Sequence, residues 1–167
     1  MRFVVQEHDA RRLHYDFRLE MGGVLKSWAI PKGPSMRPAE KRLAVMVEDH
    51  SLDFLDYEGI IPEGQYGSGA VIVWDTGNYK IREGVEPEEE IEKGKIIIEL
   101  YGKTLKGGFS LVKMKGRGER NWLLIKKKDK YSQTDWALSV ALTEEKKRNL
   151  PEKTPHDEDT KKDEQNG

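Results

Sequence analysis

The stretch LHYDFRLEMGGVLKSWAI, residues 13–30, decides the fold. Its two halves, 13–19 and 24–30, read as β-strands, and Met21-Gly22-Gly23 between them reads as a turn. Side chains alternate across a strand, so His14, Asp16 and Arg18 share one face while Tyr15, Phe17 and Leu19 share the other. The hairpin therefore has an apolar face to bury and a second face carrying an imidazole, a carboxylate and a guanidinium.

Short alternating or apolar runs recur outward from this hairpin, at 2–6, 43–47, 70–74, 78–81, 95–101, 108–114 and 121–127. Turn signals at DTGN (75–78), LKGG (105–108) and KGRGER (115–120) separate them. Many short strands with Gly-bearing turns predict a mainly β domain, a closed barrel or a sandwich. PEEEIEKG (87–94), with Pro near its start, acids in its first turn and Gly at its end, predicts a short helix. A second helix is expected over about 132–148, with Trp136, Leu138, Val140, Ala141 and Leu142 as its apolar face. Residues 1–149 then form one domain, with Trp28, Trp74, Phe109 and Trp122 filling it. Residues 150–167, including His156, offer almost nothing apolar and are expected to be a disordered charged tail.

At 167 residues the chain suits a single domain with a modest core. It has no cysteine, which excludes disulfides, cysteine zinc sites and thiol nucleophiles. No apolar run is long enough to span a bilayer and no secretory leader is visible, so an intracellular, cytoplasmic protein is expected. The net charge of −1 averages opposites. Residues 83–92 hold six acids and no base, whereas 103–130 hold ten Lys or Arg against Glu119 and Asp129. Such a basic stretch is either a solvated surface or the footprint of a polyanion.

Chemistry-bearing residues gather near the N-terminus. His14 and Asp16 share a strand face, and His8 lies six residues earlier across the turnable DARR segment. Two imidazoles and a carboxylate make a facial ligand set that suits Mn²⁺, Fe²⁺ or Zn²⁺. Arg18, a step further on, is placed to grip a phosphate or carboxylate. LAVMVEDH (43–50) ends in Glu48, Asp49 and His50, and Lys32, Lys41 and Arg42 add cations. A candidate metal triad, an extra histidine and several phosphate-seeking cations describe phosphoester chemistry. An Fe²⁺ oxygenase built on His14, Asp16 and His50 is the rival enzyme class. IPEGQYGSG (61–69) is Gly-rich but lacks the Walker pattern and reads as a structural loop.

The blocks VVQEHDARRLHYDFRLEMGGVLKSWAIPKGPS, KRLAVMVEDH, YEGIIPEGQYGSGAVIVWDTGNY and NWLLIKKKD together resemble the 3′-phosphoesterase domain of bacterial DNA ligase D and its stand-alone relatives, over about residues 3–130. The resemblance implies a compact β-barrel of short, mostly antiparallel strands with one or two flanking helices. It implies an Mn²⁺-dependent nuclease and phosphatase, Co²⁺ or Zn²⁺ being alternatives, that heals DNA 3′ ends in non-homologous end joining. The substrates would be primer–template ends bearing a 3′-ribonucleotide or 3′-phosphate, and a DNA ligase, polymerase or end-binding protein would be its partner in the nucleoid. His8, His14 and Asp16 fall on the family's metal positions, and His50 on its remaining active-site histidine. Arg18, Lys32 and Arg42 fall on phosphate-contacting positions, with Gln6 and Glu48 on polar ones, so that His50, Arg18 and Glu48 would carry the catalysis. Two departures bear on the ribonucleoside-removing step: Phe54 stands where relatives place a Tyr, and relatives carry residues ahead of the first strand. The first keeps open a third reading, a DNA-end-binding module without catalysis.

Overall fold

The structure is a computed structural model that describes residues 1–153 except Tyr66. Among these residues nine strands form one antiparallel sheet. They are β1 Arg2–Asp9, β2 Leu13–Met21, β3 Val24–Ile30, β4 Arg42–His50, β5 Gly59–Ile61, β6 Gly69–Ile81, β7 Lys95–Gly102, β8 Lys106–Lys113 and β9 Asn121–Lys126. The order β1-β2-β3-β4-β9-β8-β7-β6 closes on itself through a β1–β6 pairing, giving the expected barrel of eight strands, with β5 added beside the start of β6. Closure removes the edges that an open sheet of this length would expose.

The opening hairpin forms as read. Gly22 and Gly23 sit at φ 61° and 79°, the left-handed pair that a two-residue hairpin turn matched to strand twist requires. That turn sets the β2–β3 register, with Phe17 opposite Trp28 and Arg18 opposite Ser27. Phe3, Val5, Phe17, Leu19 and Trp28 point into the lumen and are fully buried. There Trp28 meets Trp122 edge-on at 5.8 Å, and Phe109 is enclosed beside them. Trp74, expected among these, is only half-buried at the lumen's end, where its indole N–H donates to the Ser139 carbonyl.

Three local expectations fail for identifiable reasons. DTGN (75–78) is no turn, because β6 runs through it as a bend: the β1–β6 register shifts opposite Val5/Gln6, and Gly77 lies so close to the Tyr101 carbonyl that a Cβ there would meet it at 2.2 Å. Asp75 does its turn-making at a distance, since its carboxylate accepts from the N–H groups of Lys103, Thr104 and Leu105 between β7 and β8. The 105–108 turn signal is accordingly displaced, the turn being 103–105 while Gly107 and Gly108 lie within β8. Replacing Asp75 by Ala strands those three donors, and a destabilisation of about 3 kcal/mol is expected. Urea unfolding should show a lower midpoint at constant slope, with Asp75→Asn partly restored. A shift in the Ala variant too small to resolve would show that the turn does not depend on this carboxylate.

The helix over 87–94 appears as α1 Pro87–Lys93, with Gly94 closing it at φ 84°. The helix expected over 132–148 shrinks to α2 Glu144–Asn149. Its N-terminal part is instead an irregular strap, because the buried Glu7 carboxylate takes the backbone N–H groups of Ala141 and Leu142, which a helix would have used internally. Trp136 and Leu138 pack on the core from this strap. The tail expectation also differs at its start. Ile60 donates to the Pro151 carbonyl, and Lys153 donates to the Ile60 carbonyl, so residues up to 153 dock beside β5. Residues 154–167, His156 among them, lie outside the described residues.

Candidate active site

The face of β1 and β2 opposite the lumen builds the site. The β1–β2 pairing sets His8 against His14 and Gln6 against Asp16, so the two strands bring both imidazoles and the carboxylate together. His14 Nε2 lies 3.2 Å from Asp16 Oδ1, and His8 Nδ1 lies 3.3 Å from Asp16 Oδ2. One ligand atom from each of the three lies within 4.8 Å of the others, a group able to hold a metal ion and the only such group among the described residues. Two observations fit a cation. His8 Nε2 is buried without a hydrogen-bond partner, which an apolar interior does not tolerate cheaply. His14 Nδ1 engages the Arg12 carbonyl at 3.0 Å, the kind of bond that fixes a ligating ring's tautomer and turns Nε2 toward the group. His50 lies outside this group, so the His14–Asp16–His50 triad of an oxygenase is not what the fold assembles.

Electrostatics follow from burial. Desolvation alone would raise the Asp16 carboxyl, but bonds from His14 and His8 and the Arg18 charge hold it well below the usual carboxylate range. For His14, burial pulls the imidazole down, and the Asp16 carboxylate with the Arg12 carbonyl outweighs it, leaving the ring raised.

Arg18, almost fully buried, is held by a fork of contacts: Nε donates to Gln6 Oε1 at 2.8 Å, Nη1 donates to Ser27 Oγ at 2.9 Å, and Nη2 lies 3.4 Å from Asp16 Oδ2. Gln6 spends its amide N–H groups on the carbonyls of Phe54 and Tyr57. Those carbonyls belong to and follow a 3₁₀ turn, Leu52–Asp56, capped by the Ser51 side chain, which the sequence reading did not anticipate. The turn lays Phe54 under the Arg18 guanidinium at 4.7 Å and against the His50 ring at 4.9 Å. His50 Nδ1 engages the Glu48 carbonyl at 2.9 Å, so its tautomer is also set by the backbone.

These groups line one pocket of about 460 Å³, in which His8, His14, Asp16, Arg18 and His50 face an apolar wall that includes Ala29, Val47 and Phe54. The other residues singled out from the sequence stand elsewhere. Gln6 is fully buried behind Arg18. Glu48 is exposed and contributes its carbonyl to His50. Lys32 is exposed in the loop after β3, and Arg42, at the start of β4, pairs with Glu40 at 2.9 Å; neither lines the pocket. Gln65 and Gly67 do line it, from the 61–69 loop read as structural, and Gly67 would place a Cβ only 3.7 Å from the His8 ring.

Comparison with known proteins supplies the remaining findings. Residues 6–113 match the sequence pattern of the family described as the DNA ligase D 3′-phosphoesterase domain. The multifunctional non-homologous end joining protein LigD of Pseudomonas aeruginosa is 54% identical over 130 residues, covering 77% of this chain and 15% of that protein. Its namesake from Mycolicibacterium smegmatis is 46% identical over 132 residues, covering 77% of this chain and 17% of that protein. The LigD of Mycobacterium tuberculosis H37Rv, named as a multifunctional non-homologous end joining DNA repair protein, is 41% identical over 131 residues, 78% of this chain and 16% of its own. The chain thus spans about one sixth of the length of these relatives.

Proposed function

The chain belongs to the DNA ligase D 3′-phosphoesterase domain family, and from that premise we propose that it is a metal-dependent hydrolase that heals DNA 3′ ends in end-joining repair. It removes a terminal 3′-ribonucleoside to leave a 3′-phosphate and hydrolyses that phosphate to a 3′-hydroxyl. The observation that carries the reading is the His8–His14–Asp16 group with the Arg18 fork on one wall of one pocket. His8, His14 and Asp16 would hold a divalent ion, Mn²⁺ first and Co²⁺ or Zn²⁺ as alternatives, which would supply Lewis-acid stabilisation of phosphoryl charge.

The protein's own groups do the rest. Arg18, immobilised by Gln6, Ser27 and Asp16, presents its guanidinium to the phosphoryl oxygens at no cost in reorganisation. The wall of Ala29, Val47 and Phe54 sheds water around the terminal sugar. In the phosphatase step an oxygen from water ends bonded to phosphorus, the bond to the 3′ oxygen breaks, and that oxygen needs a proton; in the ribonucleoside-removing step the bond that breaks is the one to the departing ribonucleoside's 5′ oxygen, which needs a proton in the same way. His50, on the lining of the same pocket, supplies it. With Nδ1–H committed to the Glu48 carbonyl, its imidazolium form donates from Nε2. Lys32 and Arg42, outside the pocket lining, act on the flanking DNA backbone.

The test is a primer–template with a 3′-phosphate, incubated with metal-stripped protein with and without Mn²⁺ beside His14→Ala. Phosphate release that requires both the ion and His14 is expected. Release that is indifferent to either overturns the assignment, and absence of release from protein shown to bind Mn²⁺ and DNA would make the domain an end-binding module. His50→Ala should lower turnover by about 10²-fold or more while Mn²⁺ titration stays at the wild-type value. An active variant would remove His50 from the chemistry.

A further inference from the structure

Seven large apolar side chains are exposed among the described residues, and two of them, Ile97 and Tyr101, stand together on the outer wall of β6–β9. Tyr101 is 50% exposed although it sits mid-sheet, opposite Asn78 on β6 and Lys106 on β8. Cations flank the Tyr101 ring: Lys80 Nζ lies 5.7 Å from its centroid, and Lys106 stands opposite it on β8. Beside the ring runs a shallow cleft of about 450 Å³, to which Arg82, Lys127 and Lys128 add charge.

The wall is built, not incidental. Gly107, at φ 91°, lies so close under the following loop that a Cβ would meet Asp129 Oδ2 at 2.6 Å and the Tyr131 ring at 2.8 Å. A Cβ on Gly108 would meet the Lys127 side chain at 2.9 Å. Gly108 is thus the floor on which Lys127 is seated, while Gly107, facing the other way, makes room for the loop that carries Asp129. The acids do not cancel the charge. Asp129 is turned inward, 2.7 Å from the buried Lys126 and accepting from the N–H groups of Gly108 and Tyr131. Glu99 stands opposite Lys80 in the β6–β7 register, leaving Arg82, Lys127 and Lys128 in excess.

We infer that this wall is a binding platform for single-stranded polynucleotide, separate from the His8–Asp16 pocket. An exposed tyrosine set among cations matches the two needs of a strand whose bases are open, a ring face to stack on and positive charge along its backbone. A duplex hides its base faces, and an acidic peptide would use the lysines but leave the ring idle. In the closed barrel β8 lies four strands from β2 in either direction, so the platform and the pocket occupy opposite walls. A strand end held in the pocket and a strand held on the platform do not compete.

The test uses the whole protein and a closed circle of single-stranded oligodeoxythymidylate, which has no end to heal, so the result is independent of the catalytic assignment. Fluorescence anisotropy should show binding that weakens about 5-fold or more in Tyr101→Ala. The pair Lys80→Ala with Lys128→Ala should flatten the salt dependence by up to about 1.4 in log–log slope. All three substitutions are on the surface, and unchanged thermal melting checks the fold. Failure of the wild type to bind the circle, circle binding unaltered in both variants, or equal displacement by polyglutamate at matched charge would each overturn the platform.

Discussion

Asp16→Asn is expected to lower 3′-phosphate release by about 10³-fold or more and to abolish Mn²⁺ binding at concentrations that saturate the wild type. The substitution keeps shape and removes charge. In the native site one carboxylate faces His14 Nε2 and, through its other oxygen, both His8 Nδ1 and the Arg18 guanidinium. An amide can offer an oxygen to only one side and turns an N–H group toward the other, where it supplies neither charge nor a lone pair for an ion. The second consequence is structural. Arg18 is 2% exposed, and taking the carboxylate charge from beside a buried cation is destabilising in its own right. The metal-stripped variant should therefore melt well below the metal-stripped wild type, which separates the ion-pair role from the ligand role. Retained Mn²⁺ affinity would show that the carboxylate is an internal counter-ion only, and the triad would have to be abandoned.

Much of this site is legible in the sequence because β-structure turns spacing into geometry. A two-residue turn at Gly22-Gly23 pairs residues symmetrically about it, which places Ser27 opposite Arg18 and Ala29 opposite Asp16. Alternation then settles that His14, Asp16 and Arg18 share a face, spacing adds His8 to the triad and singles out His50, and the family resemblance assigns both to active-site positions. The barrel was accessible in the same way, from strand-length runs between turn residues. What alternation cannot convey is what covers a face. The 3₁₀ turn that brings Phe54 under Arg18 is five residues without periodicity, and its placement depends on Gln6, nearly fifty residues away, accepting the task of binding its carbonyls. Asp75 misled for a related reason: Asp-Thr-Gly-Asn has turn chemistry, but the turn it stabilises belongs to other strands. The strap over 133–142 failed as a helix because Glu7, a residue read only as part of a strand, holds its backbone. Lys32 and Arg42 show the complementary limit, since a matching position does not by itself carry a long cation into a pocket.

Arg18→Lys tests whether the fork, rather than the charge, is what the site requires. Lysine keeps the positive charge but concentrates its donors at one point, and it cannot reach Gln6 Oε1, Ser27 Oγ and Asp16 Oδ2 together. Gln6 is the more informative loss. Its amide N–H groups remain tied to the Phe54 and Tyr57 carbonyls, so its oxygen becomes a buried acceptor without a donor, worth about 1–3 kcal/mol of stability. The flat guanidinium surface over Phe54 disappears as well. Turnover on the 3′-phosphate end is expected to fall about 10²-fold, Mn²⁺ affinity to stay near the wild-type value, and inhibition by inorganic phosphate to weaken in parallel with turnover. Measured well below the melting temperature, this pattern cannot arise from unfolding, because an unfolded fraction would lower metal binding and turnover together. Near-normal turnover with the expected loss of stability would instead make Arg18 a strut that secures the Phe54 turn, and would leave the phosphoryl oxygens to His50 and the metal ligands.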